Sequence, residues 1–196
     1  MSKTDIIKAR WATALHEAGH VTVGQSRGGS LLRPSAQAAV FPDCSGCASV
    51  SGMTTKPYLT FKYAVYAASG LASEELAEIY EPPRRKLHPP TPKEIINETR
   101  ISEIISTQIT ENLSTNLKNL RPDPLVIIDY CTQFDMSSPD DWKHRYERVT
   151  ITAQEQVQLY REEIHAIAVK LFIDGAWFDP GEKDPHAVNT NFMPVE

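Results

Sequence analysis

Two histidines four residues apart, with a glutamate directly after the first, form the segment His16-Glu17-Ala18-Gly19-His20. On a helix, residues i and i+4 project from one face about a turn apart, so both imidazoles can grip one cation. Glu17 stands where its carboxylate can take a proton from a metal-bound water without itself being a ligand. The metal expected for such a site is Zn²⁺, which lowers the pKa of its water and polarises a carbonyl, while Glu17 carries the proton to a leaving amine. The expected chemistry is hydrolysis of a peptide bond. The bland alternative is an accidental grouping on an amphipathic surface helix. Against it, Ala14, Leu15, Ala18, Val21 and Val23 surround the motif with apolar side chains, and unpaired histidines on such a buried helix would be costly.

The positioning elements follow from periodicity. Apolar residues at helical spacing (Ile7, Trp11, Ala14, Leu15, Ala18) place a first helix at residues 4–23, with Thr4 and Asp5 as N-cap candidates. The Gly-, Ser- and Arg-rich stretch 25–35 reads as a loop. Residues 36–41 and 48–51 read as two short strands joined by a turn at 42–46. A second helix is expected at 60–80, its apolar face built mostly from small residues that imply close packing. Five prolines between Glu81 and Pro92 interrupt the basic cluster Arg84-Arg85-Lys86 and give a linker; the cluster itself reads as a solvated loop. An inserted helix follows at 93–120, stopped by Arg121-Pro122-Asp123-Pro124. The longest helix is expected at 140–173, opened by Ser138-Pro139 and ended by Asp174-Gly175. The result is one domain over residues 1–178, mainly α with a small β-hairpin or sheet (α+β), carrying the linker and inserted helix at about 81–124. A flexible tail is expected at 179–196.

Residues 14–21, Ala-Leu-His-Glu-Ala-Gly-His-Val, resemble the active-site helix of the FtsH-type zinc peptidases. Residues 68–76, Ala-Ser-Gly-Leu-Ala-Ser-Glu-Glu-Leu, resemble that family's downstream Gly-x-Ala-x-Glu-Glu helix. The resemblance implies a zincin-like helical metallopeptidase domain and a third metal ligand, an aspartate opening a later helix just before a bulky apolar residue. Ser137-Ser138-Pro139-Asp140-Asp141-Trp142 fits that description, so the resemblance carries the ligand to Asp141, with Asp140 as its neighbour. Asp141 also suits a plain N-terminal capping role behind Ser138. Glu74, Glu75 or Glu78 remains open as a third ligand from the second helix. The sequence has no Gly-x-x-x-x-Gly-Lys-Ser/Thr loop, so the resemblance covers the peptidase part alone, and a separate ATPase or adaptor is a conceivable partner besides the peptide or protein substrate.

Composition narrows the classes. The 196 residues are 41% apolar and 23% charged, ordinary globular proportions. Twenty basic against 25 acidic residues give a formal charge of −5 with no dense basic stripe, which disfavours nucleic acid as a partner. No window approaches the roughly 18 to 20 apolar residues of a membrane span, and no secretory leader pattern opens the sequence, so a cytoplasmic location is expected. Three cysteines suit a reducing compartment. Cys44 and Cys47 read as reduced thiols near a turn; a second zinc there lacks an evident four-ligand set with Cys131. His88, His144, His165 and His186 have no partner at ligand spacing. Two competing functions share the same residues: a binding or regulatory module that keeps the peptidase fold, and a metal-dependent amidase acting on something other than protein.

Overall fold

The computed structural model describes residues 3–26, 33–51, 53, 60–83, 123–133 and 141–182. Helix α1 spans Lys3–Ser26. Its Trp11, Ala14, Leu15, Ala18, Val21 and Val23 are all buried, so it presents apolar side chains to neighbours on nearly every side. Each large side chain buried this way contributes about 1.5–3 kcal/mol relative to exposure. Strands β1 (Ala36–Val40) and β2 (Gly46–Val50) form the expected hairpin, paired antiparallel from Ala36↔Val50 to Val40↔Gly46.

Helix α2 (Phe61–Glu74) starts at Thr60, whose hydroxyl accepts the Tyr63 N–H at 3.2 Å, and tightens into a 3-10 turn at Glu75–Glu78. It packs closely on α1 because both helices are small at the crossing. Ser69 Oγ donates to the Gly19 carbonyl at 3.3 Å, and a Cβ built on Gly19 would come within 2.7 Å of the Ser69 carbonyl oxygen.

Three features depart from the sequence reading. First, Asp123-Pro124, read as part of a stop, instead opens a helix: α3 (Asp123–Thr132) begins at Asp123 with Pro124 second, inside the first turn, where its missing N–H costs nothing. Of the linker and inserted helix read at about 81–124, residues 84–122 lie outside the described residues. Second, the single long helix is two, α4 (Asp141–Leu159) and α5 (Arg161–Asp174), broken at Tyr160 with φ −107° and ψ 15°. The break divides the work: α4 packs on α2, and α5 packs on α1 and beside the sheet. Gly175 ends α5 at φ 77°, the left-handed conformation that glycine adopts without a side-chain penalty, and its N–H donates to the Leu171 carbonyl at 3.0 Å.

Third, Ala176–Asp179 is a strand, β3, where the sequence suggested the approach to a tail. It pairs antiparallel with β1, giving the order β2-β1-β3. The chain stays anchored past β3, since the Glu182 N–H donates to the Arg33 carbonyl at 2.9 Å. The architecture is α+β: five α-helices among the described residues and one three-stranded antiparallel sheet. No helix among the described residues is long and apolar enough to cross a membrane.

Candidate metal centre

His16 and His20 lie one turn apart on the face of α1 that meets α2, with ring centroids 4.7 Å apart. Each ring is fixed through Nδ1. His20 Nδ1–H donates to the Tyr66 carbonyl at 2.8 Å, and because a carbonyl only accepts, the proton belongs on that nitrogen. His16 Nδ1 lies 2.7 Å from Glu74 Oε1 and donates to that carboxylate by the same argument. The Tyr66 carbonyl is held in turn by the Ser69 hydroxyl at 2.6 Å. Imidazoles tied off in this way present Nε2 for ligation, the arrangement that second-shell partners enforce in histidine metal sites.

The two Nε2 atoms are 3.0 Å apart, and Asp123 Oδ2 lies 2.9 Å from His16 Nε2 and 3.1 Å from His20 Nε2. His16, His20 and Asp123 are the one group of three or more potential ligands found among the described residues. The acid brought to the histidine pair is therefore Asp123, not Asp141. Asp141 opens α4 outside this cluster, and Asp140 lies outside the described residues. Glu74 touches His16 through Nδ1, the nitrogen that faces away from the cluster, and so acts as an orienting partner. Glu75 and Glu78 are exposed on the 3-10 turn and do not join.

Three acceptor atoms crowded together repel one another unless something positive lies among them. A tetrahedral Zn²⁺ with bonds of about 2.0–2.2 Å holds its donors roughly 3.3 Å apart, close to the triangle seen here. Without a cation, a proton takes its place. Burial disfavours the His16 imidazolium, but contacts with Asp123 and Glu74 and the nearby Glu17 charge outweigh it and push the His16 pKa up to about 10. Asp123 is also buried, yet its contacts with both histidines hold its carboxyl well below the ordinary carboxylate range.

Glu17 is buried on the same helix at the start of β2. A Cβ on Gly46 would come within 2.6 Å of Glu17 Oε1 and 2.7 Å of Thr13 Cγ2, so the bare strand backbone lies against the carboxylate. Thr13 Oγ1 donates to the Cys44 carbonyl at 2.8 Å and ties the hairpin turn to α1 one turn before Glu17. Burial pushes the Glu17 carboxyl up, against the pull of the His20 and His16 charges. Cys44, at φ 66° in the turn, and Cys47 in β2 are free thiols; burial, with Glu17 nearby, pushes the Cys47 thiol up to about 11. His165 stacks on Tyr80 with ring centroids 4.2 Å apart, a packing role away from the cluster.

Compared with protein-family models, curated proteins and solved structures, the chain finds no match.

Proposed function

We propose that this chain is a zinc-dependent peptidase in which His16, His20 and Asp123 hold the metal and Glu17 is the general base. One observation carries the reading. Both Nδ1 atoms are committed as donors, which leaves two imidazole lone pairs and a carboxylate oxygen converging within 3.1 Å of one another. That donor set, two nitrogens and one oxygen with an acidic residue beside it, suits catalytic zinc with an open fourth position. The resemblance of residues 14–21 and 68–76 to FtsH-type peptidases supports the same reading, and Asp123, like the family's third ligand, opens a later helix.

Bound zinc would supply Lewis acidity and a water acidic enough to ionise near neutral pH. The chain's own residues do the rest. Glu17, buried with a raised affinity for protons, would serve there as the general base, the group that holds a proton and passes it to a leaving amine. Glu74 and the Tyr66 carbonyl keep both ligand rings from rotating.

Strand β2 offers a means of presenting the substrate. Pairing to β1 leaves its other edge without a partner strand among the described residues, although there the Ala48 carbonyl accepts from the Tyr66 hydroxyl at 3.3 Å and the Val50 carbonyl from the Met53 N–H at 3.1 Å, which leaves the Gly46 end open. The Ser51 N–H bonds to the Ser35 carbonyl and the Phe41 N–H to the Ser45 carbonyl, so by alternation Gly46, Ala48 and Val50 direct their backbone groups away from β1. An extended peptide pairing along that edge would pass Gly46, and therefore Glu17. The central strand β1 is paired on both sides, which removes it from this role.

The deciding experiment measures zinc per chain by plasma mass spectrometry and hydrolysis of an unstructured protein such as casein, for wild type and Glu17→Gln. About one zinc in each, with cleavage falling by a factor on the order of 10² to 10⁴ in the variant, is expected. Zinc-free wild type after reconstitution, or undiminished cleavage by the variant, would sink the proposal.

A further inference from the structure

Where α1 crosses α2, Gly19 of the first and Gly70 of the second face different things. A side chain at Gly19 would meet α2 itself: Ser73 Oγ, the Ser69 carbonyl oxygen and Ser73 Cβ. A side chain at Gly70 would first meet the two histidines. Its Cβ would lie 2.5 Å from His20 Nε2, 2.6 Å from His20 Cε1 and 2.7 Å from His16 Nε2, and these are the three nearest atoms. Two of the three are the nitrogens that converge on Asp123.

We infer that Gly70 is a positioning residue of the metal centre: its missing side chain is the space into which both ligand nitrogens turn. This rests on the metal-site reading above and adds the specific claim that α2 shapes the ligand geometry as well as burying it. The helix backbone gives the contrast its force. Alanine propagates a helix better than glycine, so Gly70→Ala favours α2 itself while its methyl group pushes the two imidazoles off their converging geometry. The rings cannot simply rotate aside, because each is held at Nδ1, His20 by a backbone carbonyl and His16 by Glu74. The collision therefore falls on the ligand atoms.

The test titrates Zn²⁺ into metal-free wild type, Gly70→Ala and Gly19→Ala against a chromophoric chelator, and records the thermal midpoint of each metal-free protein. Gly70→Ala is expected to stay folded and bind Zn²⁺ more weakly by a factor on the order of 10 to 100, as for other changes that disturb ligand orientation. Gly19→Ala is expected to lower the metal-free midpoint instead. Unchanged Zn²⁺ affinity in Gly70→Ala overturns the inference while leaving the metal site standing. A wild type that takes up no Zn²⁺ sinks the metal site and the inference together. If Gly70→Ala does not fold, the same change is made in a His16→Ala, His20→Ala background. Recovery of that background's midpoint assigns the damage to the imidazoles and supports the inference, and continued unfolding assigns it to helix packing and overturns it.

Discussion

Glu74 Oε1 lies 2.7 Å from His16 Nδ1 across 58 residues of sequence, and the contact joins the end of α2 to the face of α1 that carries both histidines. Glu74 is nearly half exposed, so its removal leaves little buried void. Glu74→Ala should keep the fold and weaken Zn²⁺ binding by a factor on the order of 10 to 100, whereas Glu74→Gln, which retains an accepting oxygen, should lose less. Isothermal titration with Zn²⁺ checks both; equal affinities across the three proteins would remove Glu74 from any orienting role.

If zinc binds as proposed, it competes with a proton for His16 Nε2. Because the metal-free His16 pKa is pushed up to about 10, Zn²⁺ uptake near pH 8 should release about one proton from this group, and apparent affinity should rise about tenfold per pH unit. The same shift bears on stability. A pKa raised in the folded state gives a contribution fully present below the ordinary value of 6.5 and lost as pH climbs through about 10. Thermal midpoints in chelator should therefore fall between pH 6 and pH 10. Asp123 is the other half of this interaction, so its lowered value describes the same stabilisation at acid pH, lost as pH drops below the ordinary carboxylate range. A flat midpoint in alkali would contradict the pairing.

Asp123 and Asp141 both open helices, and only the first stands beside the histidines. Asp123→Ala should abolish stoichiometric zinc binding. Asp141→Ala should keep one zinc per chain and change stability by no more than about 1 kcal/mol, the scale of a first-turn acid. Metal analysis of the two variants side by side discriminates, and zinc loss confined to Asp141→Ala would reverse the assignment.

The parts of this molecule legible in sequence were those where one periodicity held. Helix α1 carries both histidines at fixed spacing, and the β1–β2 hairpin alternates around an evident turn, so the histidine pair and the strand beside Glu17 could be placed directly. Asp123 escaped because prolines on both sides, Pro122 and Pro124, read as a stop. The same Asp-Pro pair ahead of Leu125, Val126, Ile127 and Ile128 is also a helix start, and that was the available signal. Tyr160 gave no warning of a break, since neither glycine nor proline marks it; packing against two different partners bends the chain there. Strand β3 is four residues long and depends on β1 for its identity, a long-range pairing that local pattern does not encode.

The distance along the chain from His16 to Asp123, 107 residues, sets an order of events during synthesis. A polypeptide made from its N-terminus exposes both histidines on α1 long before α3 exists. Two imidazoles on a nascent helix lack the third donor, and the glutamate that orients one of them arrives only with the end of α2. The cluster is therefore assembled by the closing of the domain, and a growing chain that has not yet reached α3 lacks it.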